Sequence, residues 1–182
     1  IGKALQIQTK TAVSSHLQPD IALHPGPSHP DRESLYLDHA GLVLLHPFLP
    51  QFFTALQVAE GGALTQPDRA LYLLHFLSTG KTSAPEYEQV FAKFLCGIPL
   101  EQPLDADIQL SDQEQEESFN LLETVVRYWE ALQGTTPDGL REAFLQRPGK
   151  LSRRNDSDWL LQIEKRSLDI LLDQLPWGIA MI

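Results

Sequence analysis

The chain has 182 residues, of which 42% are hydrophobic and 21% charged, with a mean hydropathy of -0.19. This is the balance of a water-soluble globular domain able to bury roughly 70% of its unfolded surface. A formal net charge of -10 excludes general nucleic-acid binding, which needs a surplus of Lys and Arg on one face. The single cysteine, Cys96, excludes an intramolecular disulfide and a cysteine-based metal site, and fits a reducing compartment.

The chain begins at Ile1 with "GKALQIQTKT", which lacks the basic start and apolar run of a signal peptide. A start without Met is expected of a fragment of a longer protein. Residues 1–17 are polar and mildly β-prone. "QPDIALHPGPSHPDRES" follows with four prolines among Ser, Gly, His and Asp, a composition that buries too little to offset its ordering entropy. Residues 1–34 are therefore read as an extended arm or linker, with His16, His24 and His29 facing water, and residues 35–182 as the folded domain.

"SLYLD" predicts a short strand. It leads into "AGLVLLHPFLPQFF", the most apolar stretch of the chain. That stretch is too broken to span a bilayer, which takes about 20 apolar residues. His46, Pro47 and Pro50 interrupt it, and each proline lacks a donor N–H, so a helix end and a helix start meet in a structural elbow. Beyond it, Phe52, Phe53 and Leu56 have helical spacing up to Gly61-Gly62.

The next helix has Thr65 and Asp68 at capping-box spacing, Pro67 in the first turn, and a stripe of Leu71, Leu74, Phe76 and Leu77 ending at Gly80. A third, opened by Pro85, turns Tyr87, Val90, Phe91, Phe94 and Leu95 inward and closes at Gly97. The longest is predicted over 111–133, with a Ser111/Glu114 capping box and Phe119, Leu122, Val126, Trp129 and Leu132 on one face. At 1.5 Å per residue it would run roughly 35 Å. A short helix starts at Thr136-Pro137 and buries Leu140, Phe144 and Leu145.

After Gly149 the pattern changes to two short strands around an Asn155 to Asp158 turn, with Trp159, Leu161 and Ile163 alternating on one face. "SLDILLDQL" is compatible with helix or strand. "WGIAMI" alternates Trp177, Ile179 and Met181 and predicts an edge strand, whose free edge seeks a partner. The expected fold is mainly α (α+β): a compact multi-helix domain with a small antiparallel β element near the C-terminus.

Motifs for chemistry are weak. "STGKT" resembles the end of a phosphate-binding loop, but His75 stands where the first glycine belongs, and a helix closes here where one should open. His39 and His46 lie seven apart with no carboxylate at a helical offset beside them, and HExxH is absent, so no metal site is expected. His46 reads as a core-edge histidine whose ring meets carbonyls freed by the prolines. Convergence of His39, His46 and His75 on one cleft would be needed for an enzyme. Cys96, at a helix C-terminus, reads as inert core. Glu116 and Glu117 read as a solvated face, no serine lies in a GxSxG elbow, and the Asn155-Asp156-Ser157 sequon is discounted. No catalytic, cofactor-binding or metal-binding residue is assigned.

Charge is unevenly spread. Nine acids stand against one base between Glu101 and Glu130, whereas seven bases, including Arg153 and Arg154, stand against four acids between Arg141 and Arg166. Two solvated faces explain this, and so does steering between copies or toward a charged partner.

Six blocks in order, "AGLVLLHPFLPQFF", "ALYLLHFLSTG", "FLCGIPLEQPL", "GLREAFLQRPGKL", "WLLQIEKRSLDILLDQLPW" and "GIAMI", resemble the C-terminal region of the tape measure proteins of contractile injection systems. The resemblance covers residues 35–182 and leaves out the arm. It implies a structural protein without catalytic residues or cofactor. Such a protein occupies the lumen of a phage-tail-like inner tube, sets its length and is anchored at the baseplate and spike-hub end. The partners implied are baseplate, spike/hub and inner-tube proteins and further copies of the chain in a trimer or hexamer, with neither nucleic acid nor direct membrane insertion. Candidate interface residues are Trp177, Ile179 and Met181 on the final edge and Arg153 and Arg154 on the basic hairpin. The expected location is the bacterial cytoplasm during assembly, then the particle, released or anchored. An adaptor or chaperone-like module that recruits cargo to the same particle is the alternative.

Overall fold

The computed structural model describes residues 6–10, 34–105, 108–154 and 158–178. Its elements are an antiparallel sheet, a two-strand hairpin and a set of α- and 3-10 helices packed on one core. The sheet has the order β1-β6-β5-β2, with β1 at Gln6–Lys10, β2 at Ser34–Leu37, β5 at Gly149–Arg153 and β6 at Asp158–Ile163. The hairpin β5–β6 is its centre. Leu35 pairs with Leu151 and Leu151 with Leu161, so three leucines form one row across the inner face, with Leu151 and Leu161 buried. Gln6–Lys10 adds the outer strand, Gln8 opposite Leu160. Of the residues read as an arm, 1–5 and 11–33 lie outside the described residues, as do Asn155–Ser157 of the predicted turn.

The apolar run Ala40–Leu45 is a 3-10 helix buried along its whole length. The chain then bends through His46, Pro47 and Phe48 into α1, Leu49–Ala55, with Pro50 in the first turn. The helix stops earlier than the Gly61-Gly62 expected, because Gln57 takes a left-handed φ of 58°. The two glycines instead join β3 (Ala59–Glu60) to β4 (Ala63–Leu64). Both have positive φ, 58° and 85°, as a two-residue hairpin turn of matching twist requires.

Helix α2, Pro67–Thr79, buries Ala70, Leu71, Tyr72, Leu73, Leu74, His75, Leu77 and Ser78, which is burial around nearly its whole girth and not a single stripe. The expected capping box does not form: Gln66 is the N-cap, without a side-chain bond, and the Thr65 hydroxyl donates to the Val58 carbonyl at 3.0 Å. At the other end Arg141, buried at 6% exposure, donates from Nε to the Leu77 carbonyl at 3.1 Å and from Nη2 to the Phe76 carbonyl at 3.3 Å. A cation on the last carbonyls complements the helix dipole.

The predicted third helix is two pieces, a 3-10 turn Glu86–Gln89 and α3, Val90–Leu95. Tyr87 falls on the turn and is 70% exposed, contrary to its expected inward place. Helix α4, Asp112–Tyr128, carries the Ser111/Glu114 capping box. It is shorter than predicted because the chain leaves helical geometry at Trp129, with ψ 86°. The fully buried indole of Trp129 is fixed by donating to the Leu171 carbonyl at 3.1 Å, a tertiary bond that overrides the continuing apolar period. Phe119 is exposed, and Val125 takes the core place expected of Val126.

Helix α5, Pro137–Leu140, runs into a π-helical turn, Arg141–Leu145. Here Gly41 of the buried 3-10 helix meets the backbone of Phe144: a Cβ at Gly41 would stand 1.7 Å from the Phe144 carbonyl oxygen. The ambiguous segment is a 3-10 helix, Ser167–Gln174. Residues 175–178 form no strand, and Ile179–Ile182 lie outside the described residues. Among the described residues no helix is long and apolar enough to cross a membrane.

Candidate functional site

The densest group of chemically active side chains lies where the end of β2, the middle of α2 and the 86–89 turn meet. His39 directly precedes the buried 3-10 helix, whose first N–H, that of Ala40, is held by the Arg147 carbonyl at 2.9 Å. His75 sits just past the middle of α2, which closes at Gly80 with φ 72°. The hydroxyls of Ser78 and Thr79 both donate to the His75 carbonyl, at 3.0 and 2.8 Å, so the STGKT segment is a helix end. Chain reversal there carries Glu88 back beneath His75. The turn bearing Glu88 is fastened by Lys93, whose buried Nζ donates to Glu86 at 2.9 Å and to the Leu100 and Gln102 carbonyls at 3.0 and 2.7 Å.

One Glu88 carboxylate oxygen, Oε2, lies 3.4 Å from His39 Nε2 and 3.7 Å from His75 Nδ1. The two imidazoles stand edge to face with centroids 6.0 Å apart. His75 is 2% exposed, and neither of its nitrogens nor Nδ1 of His39 makes a hydrogen bond of normal geometry. Burial lowers the pKa of His75, outweighing the opposing pull of Glu88 and of the Ser83 backbone, while His39 and Lys81 add to the lowering. Burial acts against the Glu88 charge, yet His39, His75 and the Tyr87 hydroxyl together hold its carboxyl below the ordinary range. At neutral pH the group therefore presents a neutral His75 imidazole and an ionised carboxylate.

The sequence pairing of His39 with His46 is not the one that forms. His39 meets His75 and Glu88, and His46 lines an apolar groove of about 1020 Å³ with Leu49, Phe53, Leu64, Leu95 and Cys96. Burial lowers the His46 pKa, and among the described residues its ring makes no bond to the carbonyls near the prolines. Sequence reasoning missed Glu88, which is thirteen positions past His75 and across a turn. Its one signal was the Gly80 stop, which forces the chain to double back. In the same groove, burial pushes the Cys96 thiol up to about 12.

A family model described as contractile injection system tape measure protein matches residues 3–182. The chain belongs to that family. The match reaches back through the Pro-rich segment, which the sequence resemblance had left out. Comparisons with curated proteins and with solved structures find no match.

In this tape measure protein the candidate interface residues are placed as follows. Trp177 is half-buried and turned inward: its Nε1 donates to the Leu44 carbonyl at 3.0 Å, and its ring meets Phe48 and Trp129 at 5.0 and 6.2 Å. Ile179 and Met181 lie outside the described residues. Arg153 stacks over the Trp159 ring at 5.9 Å, and the exposed Arg154 closes the β5–β6 hairpin through its N–H to the Asp158 carbonyl at 2.8 Å. The two arginines thus lie together at the end of β5.

Proposed function

We propose that residues 35–182 are the anchoring body of the tape measure protein, holding it at the baseplate and spike-hub end while the inner tube grows to its set length. The reading rests on the family match over residues 3–182 together with the single core on which the described elements pack. A compact chain of this length has a radius of gyration of about 16 Å by the usual scaling. That shape suits a fixed end and not a gauge for a tube many times longer, so the ruler lies elsewhere in the protein.

The role asks for surfaces and no bond-making chemistry. Copies arranged as a trimer or hexamer would set the Arg153/Arg154 hairpin of one against the acidic α4 of the next. Assembly takes place in the bacterial cytoplasm, with the protein then enclosed in the particle. The test is deletion of residues 35–182 in the producing bacterium, with particles counted and tube lengths measured by electron microscopy. Baseplates lacking tubes are expected, and assembled tubes of normal length overturn the reading. Mass spectrometry of mature particles separates it from an adaptor, which leaves after assembly.

A further inference from the structure

We propose that His39, His75 and Glu88 form a mononuclear site for a divalent transition metal of the zinc class, tying the end of β2, the body of α2 and the 86–89 turn together. One ligand-capable atom from each residue lies within 4.8 Å of the others. Zinc bonds of about 2.0 to 2.1 Å arranged tetrahedrally place neighbouring ligand atoms roughly 3.3 Å apart. The carboxylate oxygen stands at 3.4 and 3.7 Å from the two ring nitrogens, so two edges of such a tetrahedron are nearly formed. The third edge, between the two ring nitrogens, closes by roughly 1.5 Å at most, through a rotation of the imidazoles toward each other.

His75 decides between a metal site and a hydrogen-bonded group. A neutral imidazole carries one donor and one acceptor nitrogen. His75 is 2% exposed with both nitrogens lacking a normal hydrogen bond, and an unsatisfied buried polar atom is rare in a settled core. Whichever nitrogen carries the proton, the other holds a lone pair with nothing to receive it. The Glu88 carboxylate holds only acceptors and cannot serve that lone pair. A cation serves the lone pair and the carboxylate together.

The donor set selects the ion. Two imidazoles and one carboxylate suit zinc, cobalt or nickel, whereas magnesium and calcium want oxygen alone. Three protein ligands leave a fourth position, which water fills. The Tyr87 hydroxyl and the Ser83 backbone, beside the carboxylate and the His75 ring, are placed to orient them, as outer-shell partners do. The centre is a cross-link between segments far apart in sequence, and metal binding here neither requires nor implies the anchoring role.

The full chain, stripped of metal with a chelator and exchanged into clean buffer, is titrated with zinc chloride against a chromophoric chelator and with cobalt chloride followed by visible absorption. Expected are one tight equivalent, cobalt bands of the intensity of a four- or five-coordinate site, and a rise in thermal midpoint with zinc. Glu88→Gln and His39→Gln alter partly exposed side chains, and each should lower affinity at least about tenfold, the range for losing even an outer-shell partner. His16, His24 and His29 are the competing ligands, so a variant with all three changed to Ala must bind as the parent does. The proposal is overturned by a chain that takes up no equivalent. It is equally overturned if either single variant, folded by circular dichroism, keeps the parent affinity, or if the triple variant loses the site.

Discussion

Arg69, in the first turn of α2, holds Glu114, in the first turn of α4, through Nη1 at 2.7 and 2.8 Å from the two carboxylate oxygens. The same carboxylate completes the α4 capping box, accepting from the Ser111 N–H at 2.7 Å and the Ser111 hydroxyl at 2.8 Å. One side chain thus starts a helix and joins it to its neighbour. Burial opposes its charge, but Arg69 and Ser111 outweigh burial and keep its carboxyl below the ordinary range. With the folded pKa depressed, the stabilisation is complete above the unfolded value of about 4.3 and is lost as pH falls through the folded value. Glu114→Gln should cost about 1 to 2 kcal/mol at pH 7. Urea unfolding from pH 7 down to strongly acidic conditions should show the gap between parent and variant closing.

Gly41 admits no side chain. With a Cβ placed 1.7 Å from the Phe144 carbonyl oxygen and 2.8 Å from the Leu145 Cα, Gly41→Ala must push the buried 3-10 helix away from the Arg141–Leu145 turn. Overpacking against the Phe144–Leu145 backbone should destabilise by about 3 kcal/mol or more. Soluble yield and the thermal midpoint check this, and a variant melting within a few degrees of the parent refutes the close packing described.

Local signals were legible where the local chain decides the outcome. Ser111 and Glu114 mark a helix start because both halves of the capping box lie within one turn. Pro47 and Pro50 mark the elbow because a missing donor is a property of the residue itself. The break at Trp129 was hidden, since it depends on the Leu171 carbonyl forty-two positions away. The pairing of Gln6–Lys10 with β6 was hidden as well: a polar, β-prone stretch announces a strand but not its partner. His39, His75 and Glu88 were each visible singly. Their convergence follows from the Gly80 turn and from α2 being buried almost all round, neither of which the spacing of histidines encodes.

Cys96 should be a poor nucleophile. Its thiol is pushed up to about 12 by burial in the apolar groove, so almost none is thiolate at pH 8, and only the thiolate attacks. Allowing for the higher intrinsic reactivity of a more basic thiolate, alkylation should run about ten to a hundred times slower than for a free thiol. Iodoacetamide labelling followed by mass, with a urea-unfolded control, measures the ratio. Labelling at the unfolded rate would mean that the groove is open to water at the sulfur.

Trp177 fastens the C-terminal segment to the elbow. Its indole reaches the Leu44 carbonyl of the buried 3-10 helix and stacks edge-on against Phe48, while Trp129 beside it is tied to Leu171. Trp177→Ala removes a half-buried ring and leaves the Leu44 carbonyl without its donor, which should cost about 2 to 3 kcal/mol. Trp177→Phe keeps most of the packing and should cost about 1 kcal/mol, the hydrogen bond alone. Both are read from denaturant unfolding at low protein concentration, with sedimentation run in parallel. Loss of stability with association unchanged assigns the ring to the fold of the single chain. Unchanged stability with weakened association would instead place Trp177 between copies, where its alternation with Ile179 and Met181 puts it on sequence grounds.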